Sequence, residues 1–312
     1  MNSNRKKLLV AVDSSKYSLD TVRYVANLFP PETMEVVLFH VLSKIPEMYR
    51  DAEASPFYNP ELLRAKAWAA QQEKSINEFF EKARGLLMEQ RIPVNAVISK
   101  IEDLKQGVAR DILTESKQGY DAVVVGRRGL NPVSELILGS VSNKLLNKIT
   151  HMPICAVGGI PRSGILVGLD ASEGSMRAVD YVGRMFAGTE AAVTLMHVVR
   201  SFDYVAPELE MGLTSSLQEE IEADLRQAQD AMFKDAINVL RKVGFEPNRI
   251  TSEIVSGVAS RAETLVNKAM EYGIGTIVLG RRGLSNVEEF LMGRVSNKVL
   301  HLAKTAAVWV IN

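Results

Sequence analysis

Cysteine is nearly absent from this chain: Cys155 is the one cysteine in 312 residues. That excludes an internal disulfide and agrees with a reducing compartment. Net charge is absent too, with 37 basic and 37 acidic residues and a pI near 6.9. A nucleic-acid or membrane-surface partner normally selects a basic excess, so neither is expected. No apolar run approaches the roughly 18 residues of a membrane span. Behind the polar, basic stretch Met1–Lys7 the apolar run covers only Leu8–Val12, which reads as a strand rather than the core of a signal peptide. A cytosolic protein is expected. Several chemical motifs are also missing. The chain has no Gly-x4-Gly-Lys-Ser/Thr loop and no Gly-x-Gly-x-x-Gly fingerprint. It likewise lacks a Gly-x-Ser-x-Gly elbow, a kinase motif set and a metal-ligand cluster.

What is present occurs twice. Gly126-Arg127-Arg128-Gly129 is followed, nine residues later, by Gly139-Ser140-Val141-Ser142-Asn143-Lys144. Gly280-Arg281-Arg282-Gly283 is followed at the same spacing by Gly293-Arg294-Val295-Ser296-Asn297-Lys298. Each copy follows an apolar run, Ala122–Val125 or Thr276–Leu279, that reads as a buried strand. A glycine loop between a strand and a helix is a means of holding phosphate, and its duplication points to one domain used twice.

The repeat reaches nearly the whole chain. Leu8–Asp13 matches Ile165–Asp170, Val36–Val41 matches Val193–Val198, and Gly107-Val108-Ala109 is matched to Gly257-Val258-Ala259. In the first half, strands are expected near Leu8–Val12, Glu35–Leu42, Val94–Ser99, Asp121–Gly126 and Pro153–Val157. Helices are expected near Tyr17–Phe29 (capped by Ser15 or Ser18), Glu61–Gln90, Gly107–Lys117 and Val141–Ile149. The long second helix is expected to bury Leu62, Leu63, Trp68, Ile76, Phe79, Phe80 and Leu87, and its counterpart lies near Leu217–Val243. Strict alternation of strand and helix predicts an α/β fold with a parallel sheet and helices on both faces. Gly158–Ser163 is the join, giving domains 1–159 and 160–312. It is too short for a flexible tether, so the halves are expected to pack together.

In an open parallel sheet, ligands bind beyond the carboxyl ends of the strands. Asp13 and Asp170 end the first strand of each half; each either accepts hydrogen bonds from ribose hydroxyls or caps the next helix. At the end of the second strand, the backbone N–H and C=O groups of the pairs His40-Val41 and His197-Val198 are candidates to read an adenine edge. The adjoining His40 and His197 are expected to pack or hydrogen-bond rather than catalyse. Gly126, Gly129, Gly280 and Gly283 permit close backbone approach and unusual φ angles; the plainer alternative is that they only shape tight turns. Gly139 and Gly293 open the following helix, where Ser140, Ser142 and Ser296 offer hydroxyls beside unpaired N–H groups, and Arg127 adds positive charge.

At these residues the chain resembles the universal stress protein family, in its tandem two-domain form. The family's ATP-binding members carry Gly-x2-Gly-x9-Gly-Ser/Thr, matched here by Gly126, Gly129, Gly139 and Ser140. The resemblance implies nucleotide contacts from Asp13, Val41 and Ser142, and in the second half from Asp170, Val198, Gly280, Gly283, Gly293 and Ser296; Arg127, Val141 and Val295 are further candidates beside them. Arg294 departs from the pattern by standing where the family has Ser or Thr. It either grips phosphate through its guanidinium or fills the pocket. The family's fold implies two Rossmann-like or flavodoxin-like domains, each with a five-stranded parallel sheet of order 3-2-1-4-5. Members pair through the last strand, so Pro153–Val157 and Ala306–Ile311 are expected to form an intramolecular pseudo-dimer with Cys155 buried. Further homodimerisation is open.

The leading expectation is an ATP-binding stress-response protein, with or without Mg2+, acting as a nucleotide-dependent sensor or partner-binding switch. Slow ATPase, autokinase or nucleotidyl transfer through Asp13, Asp170, Ser140 or Ser142 is the enzymatic alternative; a nucleotide-independent scaffold is the third. Ser43–Asn59 and Arg200–Ser216 differ most between the halves. They serve either as lids or partner surfaces or merely as cover for apolar helix faces.

Overall fold

The computed structural model describes residues 5–43, 60–129, 138–159, 163–200, 215–283 and 292–312, with backbone alone at 60–62 and 215–223. Most of the two variable loops lies outside the described residues. The chain divides into two compact units, Met1–Lys148 and Ile149–Asn312.

In the first unit the strands are β1 (Lys6–Ala11), β2 (Met34–Leu42), β3 (Val97–Asp103) and β4 (Ala122–Gly126). They are parallel, in the order β3-β2-β1-β4. Leu8, Leu9 and Val10 are all fully buried although successive side chains point to opposite faces. Both faces of the sheet are therefore covered, as a parallel sheet requires. The helices are α1 (Lys16–Ala26), α2 (Pro60–Glu89), α3 (Val108–Glu115) and α4 (Ser140–Lys148).

Two local expectations are corrected here. Val94–Ala96 is a 3-10 turn and the third strand begins only at Val97; Pro93, which precedes it, fixes φ and favours a turn over a ladder. In α2, Ile76, Phe79, Phe80 and Leu87 are buried as expected, but Leu63 and Trp68 are 48% and 47% exposed. Leu62 lies outside the described side chains. The reason is length. Thirty helical residues extend about 45 Å, whereas even the nine residues of β2 span about 30 Å. The first turns of α2 have no strand left to cover.

The second unit holds β5 (Ile154–Val157), β6 (Ile165–Leu169), β7 (Val193–Arg200), β8 (Ile250–Val258), β9 (Thr276–Gly280) and β10 (Ala307–Ile311). Its helices are α5 (Glu173–Phe186), α6 (Ser215–Lys242), α7 (Arg261–Glu271) and α8 (Arg294–Leu302). The strand order is β5-β10-β9-β6-β7-β8. From β10 to β8 the strands are parallel and follow the expected doubly wound order. β5 runs antiparallel to β10, pairing Cys155 with Trp309, so the two last strands of the repeat do meet. Cys155 is fully buried, a small apolar filler. This pairing also explains why the compact unit begins at Ile149, upstream of the Gly158–Ser163 join.

One matched block does not correspond in space. Gly107 is the N-cap of α3, with φ 128°, whereas Gly257 lies inside β8. The equivalent cap is Ser260, whose hydroxyl accepts from Glu263 N at 3.4 Å. The Ser260-x-x-Glu263 spacing is a capping pattern that marks this helix start from sequence. Among the described residues no helix is long and apolar enough to cross a membrane.

Candidate functional site

At the end of the first strand the aspartate is not the helix cap. Ser15 caps α1, accepting from Ser18 N at 3.3 Å, and Ser172 caps α5, accepting from Ser175 N at 3.1 Å. Asp13 is held one step upstream. Its Oδ1 accepts from Ser15 N at 3.1 Å and from the Ser18 hydroxyl at 2.7 Å. Asp170 Oδ1 accepts from Ser172 N at 3.2 Å and from the Ser172 hydroxyl at 2.5 Å. The second carboxylate oxygen is turned to the glycine loop. A Cβ built on Gly129 would lie 2.5 Å from Asp13 Oδ2, and one built on Gly283 would strike Asp170 Oδ2 more closely still. Strand-end carboxylate and loop backbone thus touch in both units.

Close approach, not unusual φ, is what these glycines supply. None of the six motif glycines lies in the left-handed region. Gly280 is the tightest against backbone: an added Cβ would sit 2.5 Å from Gly174 C and 2.6 Å from Gly174 O. Gly126 is looser, its nearest neighbours being Thr21 Oγ1 at 3.0 Å and Arg128 O at 3.2 Å.

The helix after the loop starts without a side-chain cap in the second unit, where Gly293 is the N-cap of α8. The first helical bond there is Asn297 N to Gly293 O, at 3.0 Å. The N–H groups of Arg294, Val295 and Ser296 therefore have no intrahelical acceptor and carry the positive end of the helix dipole. In the first unit Asn143 N donates to Gly139 O at 2.8 Å, leaving Ser140, Val141 and Ser142 in the same position. Ser140 is exposed and Val141 partly so. The buried serines are differently engaged. Ser142 donates its hydroxyl to Gly126 O at 2.6 Å, and Ser296 donates to Gly280 O at 2.7 Å. Each stitches the helix start to the end of the preceding strand.

The two arginines of each loop divide inward and outward, as successive residues of an extended segment do. Arg127, expected beside a phosphate, is 4% exposed. Burial, with Arg128 adding repulsion, pushes its pKa down to about 10. Its counterpart Arg281 is 2% exposed and donates to Ile149 O at 2.6 Å and to the Asn312 side chain. Arg281 is a tie within its unit. The outward residue of each pair is Arg128, whose guanidinium lies 4.9 Å from the Tyr17 ring centroid, or Arg282.

At the end of β2, alternation decides what is available. Val12 N donates to Phe39 O at 3.0 Å, on the β1 side. Two residues on, the Val41 N–H and C=O face the same side, past the point where β1 has ended. His40 Nδ1 donates to Val12 O at 2.8 Å, so the ring occupies the acceptor that Val41 N would otherwise take. Among the described residues nothing pairs with the Val41 backbone on that side. In the second unit His197 Nδ1 likewise donates to Leu169 O at 2.8 Å, but Val198 O accepts from Arg261 Nε at 3.1 Å.

His40 yields a pH prediction. Burial holds its pKa below the ordinary 6.5, outweighing the Val12 bond and the Asp13 charge. A depressed pKa means the unfolded chain takes up the proton first, so this contribution is complete above pH 6.5 and is lost as pH falls toward the folded-state value. Thermal melts from pH 7.5 to 5.5 should show a falling Tm, with a shallower fall in His40→Gln. Identical slopes would show that His40 does not contribute.

All eight second-half candidates, Asp170, Val198, Gly280, Gly283, Gly293, Arg294, Val295 and Ser296, line one cavity of about 680 Å3. Arg294 stands on its wall and is exposed, so it does not fill the space. The sequence reading missed Arg261, Arg282 and Lys298, which also line it. Arg261 was hidden by the Gly107–Gly257 match; the capping pattern at Ser260 would have revealed it.

A parallel, doubly wound sheet with a carboxylate and a glycine loop at its carboxyl rim defines the class of α/β ligand-binding domains. The universal stress protein family model matches residues 4–154 and 162–312, and the chain belongs to that family in its tandem two-domain form. A universal stress protein of Mycolicibacterium smegmatis is 25% identical over 97% of this chain and 96% of its own length. The Bacillus subtilis universal stress protein YxiE is 26% identical over 45% of this chain and 92% of its own length. The crystal structure of a universal stress protein from Archaeoglobus fulgidus is 20% identical, covers 100% of this chain and 99% of that one, and superposes with a TM-score of 0.55.

Proposed function

We propose that the protein is a cytoplasmic, nucleotide-dependent stress-response switch whose two domains, 1–159 and 160–312, each bind an adenine nucleotide, ATP foremost. The observation that carries this reading is the convergence of all eight second-half candidates on one cavity. Its volume of about 680 Å3 falls in the range of small-molecule sites, about 300–1,000 Å3. Its chemistry fits the parts of a nucleotide. Asp13 or Asp170 accepts from ribose hydroxyls. The N–H groups opening α4 or α8 receive phosphate oxygens, and the loop glycines leave room for the chain to approach. In the first unit the Val41 N–H and C=O, with no partner on that side among the described residues, supply a donor and an acceptor for an adenine edge.

Binding without rapid turnover suits the side chains at the rim. The Ser142 and Ser296 protons are spent on strand carbonyls, as are the Nδ1 protons of His40 and His197. Phosphoryl transfer needs an oriented nucleophile and a base, and these groups are engaged in holding the frame. Occupancy would therefore act through the loops at the rim, altering what a protein partner meets.

Calorimetric titration of ATP, with and without Mg2+, tests the reading. Alanine at Gly129 or Gly283 drives a methyl into the facing aspartate, so each variant should lose one class of site, with at least about tenfold weaker binding. Unchanged stoichiometry and affinity in both variants would overturn the assignment. Mass spectrometry of small molecules released from freshly purified protein would identify the resident nucleotide.

A further inference from the structure

The halves match in their carboxylates and glycines but differ in what surrounds them. Where α3 of the first unit begins with Val108, α7 of the second begins with Arg261. Where α4 begins with Ser140, α8 begins with Arg294. Arg261, Arg282, Arg294 and Lys298 all line the second cavity, and Asp170 is the one carboxylate there. Lys298 is paired with Glu263 at 2.8 Å. Among the described residues no carboxylate pairs with Arg261, Arg282 or Arg294. This wall carries a large surplus of positive charge, which a bound anion would offset.

The same substitution removes the base reader. Arg261 Nε donates to Val198 O at 3.1 Å, the carbonyl whose first-unit equivalent, Val41 O, has no partner on that side among the described residues. An acceptor already holding a guanidinium N–H is a poor partner for an exocyclic amine, and the cation beside it repels that amine's hydrogens.

We infer that the second cavity is a polyphosphate site that takes nucleoside triphosphates by their phosphate chain, without selecting the base, while the first site selects adenine. The inference rests on the second cavity being the nucleotide site proposed above. Arg294 and Arg282 grip the chain from the α8 and loop sides. Arg261 sets the base indifference by occupying Val198 O.

The test compares ATP, GTP, AMP and inorganic tripolyphosphate by calorimetry. Gly129→Ala reports the second site and Gly283→Ala the first. At the second site ATP and GTP should bind within about threefold of each other, since no base hydrogen bond separates them. Tripolyphosphate should compete there, and AMP should bind about a hundredfold more weakly for want of charge-assisted phosphate contacts. Arg294→Ser should weaken tripolyphosphate about tenfold or more. Arg261→Val, restoring the first-half residue, should open a preference for ATP over GTP of about tenfold. At the first site ATP should already be preferred and tripolyphosphate should compete weakly.

A tenfold preference for ATP over GTP at the second site of the otherwise unaltered chain, or no competition by tripolyphosphate there, would overturn the inference while leaving the nucleotide assignment standing. Binding of neither ATP nor tripolyphosphate at either site would overturn both. The comparison of ligands decides the matter even if Arg261→Val fails to fold, which circular dichroism would reveal.

Discussion

Alanine at Gly280 is expected to destabilise the second unit by about 3 kcal/mol, whereas alanine at Gly126 costs about 1 kcal/mol in the first. The two glycines hold the same place in the repeat, at the end of β9 and of β4. Their neighbours differ. The new methyl at Gly280 meets backbone, the Gly174 carbonyl carbon at 2.5 Å and its oxygen at 2.6 Å. At Gly126 the nearest atoms are the Thr21 hydroxyl at 3.0 Å and Arg128 O at 3.2 Å, so the methyl requires a shift of only a few tenths of an ångström. Gly174 in its own right packs against Arg282 O, so the first turn of α5, the end of β9 and the rim loop meet backbone to backbone. The equivalent of Gly174 is Tyr17, and the first unit fills this corner with a stacked Arg128 instead. Urea unfolding of the two variants checks the prediction. Equal losses would show that the backbone contact at Gly174 relaxes freely.

Trp309→Ala is expected to cost about 4 kcal/mol, the scale for emptying a buried aromatic site. Trp309 is 0% exposed at the centre of β10. Its ring lies 5.5 Å from that of Tyr181 and 6.5 Å from that of Phe186, both on α5. Its strand is flanked by β9 and β5, so the cavity left behind has rigid walls on both sides and collapses poorly. The measurement is convenient. The other tryptophan, Trp68, is 47% exposed, so the red shift of fluorescence on unfolding comes chiefly from Trp309. Guanidinium unfolding followed by circular dichroism gives the variant's stability. A loss below about 1 kcal/mol would mean that the surrounding side chains close the gap.

The halves also show where sequence reasoning reaches its limit. Periodicity located the strands to within a few residues because a parallel strand buried on both faces is an unbroken apolar run, as in Leu8–Val12. Ser15, one of the two serines offered as the cap of the first helix, does cap it, because capping is local chemistry between residues three apart. Arg127 and Arg128 were not separable by the same means. Both are arginines at adjacent positions, and only the path of the backbone assigns one to the interior and the other to the rim. Trp68 looked like core from its spacing, but helical spacing identifies a face and says nothing of whether a strand lies opposite.

The residue order of this chain by itself determined that one α/β unit is used twice and that an aspartate, two glycines and a helix start recur at a strand's end. Each of those features depends on interactions within a few residues, which order alone specifies. The tertiary structure decided which arginine is buried, that Gly280 is needed for close packing rather than for its φ angle, and that Arg261 reaches Val198 O from another element. Those contacts join residues from 63 to 132 positions apart or set backbone against backbone, and such distances come into being only when the sheet has formed and its crossover helices have been laid down upon it.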